Sequence, residues 1–300
     1  MIGPARAVAH AAQAPRSAKT RPAGFSILSN TLLIALKLAA GVITGSIAIL
    51  TEAVHSSIDL IASVIAYFSL RKADEPADAD HPYGHAKIEN LSAAIQGMLI
   101  LVGAGIIIYE ATRRLADPPP VESLGVGIAV IGFSIVVNLG MSTYLYRRAG
   151  ATESPALEGD AAHLRTDAAT SVGVLVALVL VQTTGIELFD PAVALLVAGA
   201  IVGAGLRIVA RSSRVLVDEA LPEHELAAVR EAIADHAAPE VAGFHKLRAR
   251  RAGSRRYVDL HVQFAEGTTL SRAHAITHEL QEAVRDRLRD ADVLIHLEPE

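Results

Sequence analysis

The sequence predicts an all-α membrane domain of six helices, followed by a small α+β domain. Hydrophobic residues make up 51% of the 300 residues, and the mean hydropathy is +0.37. The charged residues, 20% of the total, are unevenly distributed. Between Phe25 and Leu206 the chain repeatedly runs roughly 20 residues with almost no charge, whereas the last part is rich in Arg, Glu, Asp and His. This composition excludes an ordinary soluble enzyme and a disordered chain.

Six apolar segments have the length that a membrane helix needs, which is about 20 residues for about 30 Å of hydrocarbon. The predicted helices cover residues 25–43, 47–70, 88–109, 124–146, 157–181 and 191–210. We therefore expect a basic N-terminal tail over residues 1–24, a membrane domain over 25–212 and a soluble domain over 213–300. An even number of spans leaves both chain ends on the same side of the membrane.

The distribution of Lys and Arg predicts which side that is. The N-terminal tail, the second and fourth connections and the segment after the sixth span are basic, whereas the turns at 44–46 and 182–189 have no Lys or Arg. Only Arg113 and Arg114 depart from this pattern. Because positive loops stay in the cytoplasm, we expect a multi-pass protein of the inner (plasma) membrane with both termini cytoplasmic.

Beyond the last apolar segment the periodicity changes to that of a soluble α-β-β-α-β domain. The predicted helices cover residues 223–236 and 269–289, and the predicted strands cover 241–250, 255–264 and 293–297. In the second strand Val258, Leu260 and Val262 alternate with polar residues, which is typical of a half-buried strand. In the second helix the apolar residues recur at helical spacing.

The chain has no Cys, so thiolate zinc fingers, iron–sulfur clusters and Cys nucleophiles are excluded. Any metal must be bound by His, carboxylate or carbonyl groups. The twelve His residues are candidates for this chemistry. The net charge is −5 and there is no basic stripe, so we expect no nucleic-acid partner.

Two matching patterns lie inside predicted membrane helices. His55 precedes Asp59 by four residues in the second, and His163 precedes Asp167 by four residues in the fifth. This spacing puts each His and Asp on one helical face, and antiparallel packing of the two helices would bring all four together. Two imidazoles and two carboxylates suit tetrahedral Zn²⁺. The alternative is that each His–Asp pair is a hydrogen bond that ties helices together. However, an Asp at mid-helix costs about 2.5–3.5 kcal/mol on insertion scales, which favours a functional site.

Other polar residues in these helices have less specific interpretations. We expect Glu52 to be a helix-end or supporting group, and Asp160 to be a vestibule carboxylate near the site. Lys37 in the first helix is expected to be a structural partner of an acidic group, because a cation among the ligands would repel a metal ion.

Several motifs resemble those of the cation diffusion facilitator family. Residues 46–59 (SIAILTEAVHSSID) resemble the signature of its second helix, and residues 81–89 (HPYGHAKIE) resemble the opening of its third. Residues 160–167 (DAAHLRTD) and 189–191 (FDP) match its fifth and sixth helices. The resemblance implies a homodimeric exchanger of divalent metal for protons, with six membrane helices and a cytoplasmic metallochaperone-like (ferredoxin-like) domain.

The same resemblance implies roles for individual residues. His55, Asp59, His163 and Asp167 match the transport site, and two His with two Asp resemble the zinc-transporting type, with Fe²⁺, Co²⁺, Cd²⁺ and Mn²⁺ remaining open. A cytoplasmic binuclear zinc site would use His245, His261, His274, His296 and Glu298. The alternative for these residues is solvent-facing His on a sheet. Lys87 and Asp218 match a charge interlock at the dimer interface, or are ordinary surface charges.

The connection between the second and third spans contains Asp78, His81 and His85. Their spacing predicts a loop metal site, and similar loops of the family carry a second zinc ion. The alternative is that these are capping or solvated residues.

We therefore expect a zinc efflux transporter that works by alternating access, with Zn²⁺ as its substrate and as a structural or regulatory ion, and not an enzyme. A membrane enzyme with His-box metals would need patterns such as His-Glu-x-x-His, which do not occur. A membrane metal sensor that binds without transporting is the other alternative.

Overall fold

The computed structural model describes residues 17–45, 47–116 and 125–300, without the side chains of a few helical residues. Two predicted groups, the side chains of Glu52 and His55, and most of the predicted N-terminal tail lie outside the described residues. The chain separates into two compact units, with a division between Ser213 and Arg214.

The first unit contains six long helices, as predicted. They are α1 (Ser17–Thr44), α2 (Ile47–Ala73), α3 (Lys87–Ala116), α4 (Gly125–Thr152), α5 (Pro155–Thr184) and α6 (Phe189–Leu216). Within the described residues, five of these, α1 and α3 to α6, are long and apolar enough to cross a membrane. The remaining helix, α2, has 27 residues and therefore a length of about 40 Å.

Each helix extends beyond the apolar segment that predicted it. The largest difference is at α1, which begins at Ser17 instead of residue 25 and includes Pro22. Residues 17–24, which the sequence assigns to the N-terminal tail, are therefore helical. Hydropathy indicates only the part of a helix that would lie in the hydrocarbon. The helix itself can continue into polar sequence where the polar residues find partners.

One such partner network joins the starts of α1, α3 and α5. Lys19 Nζ donates a hydrogen bond to Glu89 Oε1 at 2.7 Å, and both side chains are buried. The hydroxyl of Ser154 donates to the other carboxylate oxygen of Glu89. Ser154 is the N-cap of α5, and its Oγ accepts the backbone N–H of Leu157. The network therefore fixes where α5 begins.

Helix α5 packs against α2, α3 and α4. Its contact with α3 is close because Gly159 has no side chain. A Cβ at this position would lie 3.2 Å from the Cα of Ala93 and from the side chain of Gln96. Small residues commonly allow such approaches between membrane helices.

The second unit has the predicted order α-β-β-α-β. Its elements are α7 (Glu223–His236), β1 (Val241–Ala252), β2 (Arg255–Phe264), α8 (Leu270–Arg287) and β3 (Ala291–Pro299). The sheet order is β1-β2-β3, with β1 and β2 antiparallel and β2 and β3 parallel. A parallel pair needs a crossover connection, and α8 provides it.

Both helices of this unit cover one face of the sheet. The shared core contains Val258, Leu260, Val262 and Phe264 of β2, Val229 and Ile233 of α7, and Ile276, Leu280 and Val284 of α8. Because successive strand residues point to opposite faces, Asp259, His261 and Gln263 lie on the other face.

Candidate metal sites

Three of the four predicted transport-site residues meet in the helical unit. Asp59 of α2 and His163 of α5 are buried, and His163 Nε2 lies 3.2 Å from Asp59 Oδ1. Asp167, one turn further along α5, has its Oδ2 at 3.9 Å from the same nitrogen. One ligand atom from each residue falls within 4.8 Å of the others. The side chain of His55 lies outside the described residues.

Helix geometry explains why these residues converge. His163 and Asp167 are four residues apart and therefore share a face of α5, and α2 packs against that helix. The Asp59–His163 contact could by itself be a hydrogen bond between helices, as the alternative interpretation holds. The second carboxylate, from Asp167, makes the group a three-ligand cluster of the type that binds Zn²⁺.

Asp160 is fully buried one turn before His163 on α5. Its Oδ1 accepts a hydrogen bond of 2.8 Å from Ser63 Oγ of α2. Ser63 also contacts Ser26 Oγ at 3.0 Å and accepts a hydrogen bond of 2.9 Å from Asn30 Nδ2, both on α1. This carboxylate is therefore a member of a polar network between three helices.

Lys37 of α1 is buried, and its Nζ donates to Ser56 Oγ of α2 at 2.7 Å. The contact described for this amine is thus with a hydroxyl, three residues before Asp59 on the same helix.

The loop residues Asp78, His81 and His85 form a second cluster. Asp78 Oδ1 lies 3.1 Å from His81 Nδ1, and its Oδ2 lies 3.3 Å from His85 Nε2. The His85 ring is buried, and its Nδ1 has no hydrogen-bond partner among the described residues. The backbone N–H of His81 donates to Asp78, which holds the pKa of this carboxyl below its ordinary value. An ionised carboxylate beside two imidazoles suits a divalent metal.

The third cluster lies on the open face of the sheet. His245 and His261 are paired across β1 and β2, and His261 and His296 are paired across β2 and β3. Glu298 Oε2 lies 2.9 Å from His245 Nε2, and its Oε1 lies 2.5 Å from His261 Nδ1. The ring nitrogen of His296 is further away, at 3.7 Å. The hydrogen bond with His261 holds the pKa of the Glu298 carboxyl below its ordinary value.

His274, the remaining residue predicted for this cytoplasmic site, is not brought into the cluster within the chain. It lies on α8, which covers the opposite face of the sheet, and its ring contacts His278. Sequence analysis missed His278, although the four-residue spacing of the two His on an amphipathic helix is a usable signal.

The predicted interlock partners Lys87 and Asp218 belong to different units. Within its own unit, Asp218 Oδ1 accepts a hydrogen bond of 3.0 Å from Arg250 Nη1. The interlock itself stays a prediction.

A bundle of apolar helices that contains a buried His–carboxylate cluster, followed by an α+β unit with a candidate metal-ligand cluster, defines a class of multi-pass membrane protein that handles metal cations. Comparison with known proteins identifies the family. The family model of the cation efflux transmembrane domain matches residues 24–217, and that of the cation efflux protein cytoplasmic domain matches residues 221–300. The chain belongs to the cation efflux, or cation diffusion facilitator, family, whose members are transporters rather than enzymes.

Similar proteins cover nearly the whole chain. It is 35% identical over 264 residues to the uncharacterized transporter sll1263 of Synechocystis, a match that covers 88% of this chain and 85% of the relative. It is 33% identical over 280 residues to the cation-efflux pump FieF of Cronobacter sakazakii, with coverage of 93% and 92%. Among solved structures, the zinc form of CzrB is 30% identical and covers 28% of this chain and 93% of that chain, with a TM-score of 0.27.

Proposed function

We propose that this protein exports Zn²⁺ from the cytoplasm in exchange for protons. The transport site would be tetrahedral, with His55 and Asp59 of α2 and His163 and Asp167 of α5 as ligands. The observation that carries the proposal is the buried contact of His163 Nε2 with the carboxylates of Asp59 and Asp167, at 3.2 and 3.9 Å. Two carboxylates balance the charge of a dication, and imidazole nitrogen favours Zn²⁺ over Mg²⁺ or Ca²⁺.

Proton exchange follows from the chemistry of the ligands. A metal ion needs neutral His and ionised Asp, so that binding Zn²⁺ releases protons and protonation releases Zn²⁺. When His163 is protonated, it carries a positive charge between the two carboxylates that otherwise hold the metal. The charges of the two carboxylates are therefore compensated whether the site holds Zn²⁺ or a proton on His163. Buried carboxylates require such compensation.

The transport cycle that we propose is alternating access in a homodimer. The helices around α2 and α5 would expose the site to one side of the membrane at a time. The loop cluster and the cluster on the sheet would bind further Zn²⁺ as structural or regulatory ions, and metal on the sheet would bring two cytoplasmic domains together. Both termini would be cytoplasmic, in the inner membrane.

Transport assays with the purified full chain test this function. In proteoliposomes with a zinc-sensitive dye inside and an imposed pH gradient, we expect Zn²⁺ uptake that depends on the gradient. His163→Ala and Asp167→Ala should reduce uptake to the level of protein-free liposomes. Ser57→Ala is the matched control, because this exposed hydroxyl of α2 bonds only to the backbone oxygen of Ala53 among the contacts described.

The same assay separates the alternatives. Faster uptake of Fe²⁺, Co²⁺, Cd²⁺ or Mn²⁺ than of Zn²⁺ would replace the proposed substrate and keep the transport function. Binding of Zn²⁺ without uptake of any of these ions would indicate a membrane metal sensor. Full uptake by both alanine variants would contradict the proposed site.

A further inference from the structure

An open cavity lies between the start of α1 and the end of α2, outside the clusters described above. Its volume is about 510 Å³, which is within the range of small-ligand sites. The walls combine two aromatic rings with charged groups of both signs, namely Tyr67, Phe68, Arg71, Lys72, Asp74 and Glu75. Such a lining suits a ligand that has an apolar part and carries both charges.

The charged part of the cavity begins where the apolar part of α2 ends. No charged residue lies between Asp59 and Arg71. Tyr67 and Phe68 precede Arg71 by about one turn, and their rings pack edge to face with centroids 5.6 Å apart. Aromatic rings followed by a cationic group are typical of the boundary between hydrocarbon and lipid headgroups. Because the family's transmembrane domain matches residues 24–217, we place the cavity at the level of the headgroups.

Arg71 is the cation of the cavity that has no carboxylate partner among the described residues. Its Cζ lies 6.0 Å from the centre of the Tyr67 ring, and this stacking holds the guanidinium at the cavity wall. The neighbouring cation, Lys72, is already paired with Glu75. A guanidinium whose N–H donors are available can bind a phosphate with two parallel hydrogen bonds.

The carboxylates of Asp74 and Glu75 supply the opposite charge. The helical turn continues beyond α2, because the backbone N–H of Asp74 donates to the backbone oxygen of Leu70 at 3.2 Å. Asp74 therefore follows Arg71 by about one turn, which separates side chains by about 5–6 Å. Glu75 is shared with Lys72, but a carboxylate has acceptor sites for more than one donor. The cavity thus offers a group for phosphate and groups for an ammonium about one turn apart.

We propose that this cavity binds the headgroup of phosphatidylethanolamine. Arg71 binds the phosphate, the carboxylates of Asp74 and Glu75 bind the primary ammonium, and the glycerol backbone packs on the exposed ring of Phe68. The two methylenes between phosphate and ammonium span a distance comparable to one helical turn. The site contains none of the metal ligands and is independent of the proposed zinc transport.

Native mass spectrometry of the purified, delipidated full chain tests the proposal with three lipids that have the same acyl chains. Phosphatidylethanolamine should bind on the order of 10-fold more tightly than phosphatidylcholine, which has no N–H donor, or phosphatidylglycerol, which has no cation. Arg71→Gln should reduce the affinity for phosphatidylethanolamine by a similar factor. Arg148→Gln is the matched control, because Arg148 stacks on Tyr144 at 5.5 Å in the same way but does not line the cavity. Its affinity should equal that of the wild type.

A second variant tests the ammonium end of the site. Asp74→Asn with Glu75→Gln should bind phosphatidylethanolamine and phosphatidylcholine equally, and circular dichroism checks that both variants keep their helices. Equal affinity of the wild type for phosphatidylethanolamine and either other lipid, an unchanged affinity in Arg71→Gln, or an equal loss in Arg148→Gln would each overturn the proposal. Discrimination that survives loss of both carboxylates would also overturn it. Displacement of the lipid by an equal concentration of glycerophosphoethanolamine, which has no acyl chains, would replace the lipid by a soluble ligand and overturn it too.

Discussion

Glu298 is the residue on which the cluster on the sheet depends. Its two carboxylate oxygens reach two different strands, at 2.9 Å to His245 Nε2 and 2.5 Å to His261 Nδ1. The remaining ligands are imidazoles. Of the three grouped residues, only Glu298 would therefore contribute negative charge to a bound dication.

We predict that Glu298→Gln weakens Zn²⁺ binding to this cluster on the order of 10- to 100-fold, because the amide keeps the shape and removes the charge. Titration calorimetry of the full chain, in a background with His163→Ala to remove the transport site, measures the change. The matched control is Asp259→Asn, which removes a carboxylate from the same face of β2 but outside the cluster. A loss of affinity in Asp259→Asn equal to that in Glu298→Gln would contradict the prediction.

The pH dependence of this binding follows from the direction of the Glu298 pKa. Its pKa is lowered by the hydrogen bond with His261, so the carboxylate stays ionised when the pH falls from 7 to 5. Loss of Zn²⁺ over this range then comes from protons that compete for the imidazoles. The wild-type chain and Glu298→Gln should therefore lose metal with the same pH dependence, displaced only in affinity. A steeper acid loss in the wild type would mean that the carboxylate titrates in this range.

Two polar contacts join α2 and α5, one helical turn apart. Ser63 follows Asp59 by four residues on α2, and Asp160 precedes His163 by three on α5. The Ser63–Asp160 hydrogen bond, 2.8 Å, therefore lies one turn from the Asp59–His163 contact, 3.2 Å, between the same antiparallel helices. Groups behind metal ligands commonly fix the orientation of those ligands.

We predict that Ser63→Ala and Asp160→Asn each lower Zn²⁺ transport at subsaturating metal on the order of 10-fold, because α2 and α5 lose the contact that holds their ligands in register. The double variant should be no worse than the more affected single variant, since both changes remove one interaction. Concentration-dependent uptake in proteoliposomes measures the effect, with Ser57→Ala as the control. Full additivity of the two changes would show that they act independently.

The sequence predicts the helices and strands well where one residue pattern determines them. Helix α7 and strand β2 begin and end at the predicted residues, because apolar residues at helical or strand spacing mark both. The start of α1 is different. Lys19 and Pro22 are typical of a polar tail, and the buried partner of Lys19 is Glu89, 70 residues away. Local pattern contains no information about that contact.

Prediction of the site residues from the sequence has the same limit. The spacing of four residues predicts that His163 and Asp167 share a face of one helix and that His55 and Asp59 share a face of another. Antiparallel packing of the two helices predicts that Asp59 meets His163. The role of Ser63 beside Asp160 has no sequence signal, because a serine in an apolar helix has many uses. The placement of His274 on α8, away from the strands, depends on which sheet face the helices cover, and this is a property of the tertiary structure.

The membrane orientation of the whole molecule can be tested by cysteine labelling, because the chain has no Cys of its own. Arg147 lies near the end of α4 and Gln182 near the end of α5, and both are exposed. Helices α4 and α5 are consecutive, so their C-terminal ends lie on opposite sides if each crosses the membrane. The Lys and Arg distribution predicts that the end of α4 is cytoplasmic.

We therefore predict that Gln182→Cys reacts with a membrane-impermeant maleimide on intact cells, whereas Arg147→Cys reacts only after the membrane is permeabilised. The cysteine-free parent chain provides the background, and zinc uptake by each variant shows that it is correctly inserted. The reverse labelling would mean that the membrane orientation is opposite to the predicted one. The cluster on the sheet would then face the outside, and the proposed direction of export would be reversed. Labelling of both positions on intact cells would mean that α5 does not cross, which would remove His163 and Asp167 from the membrane interior.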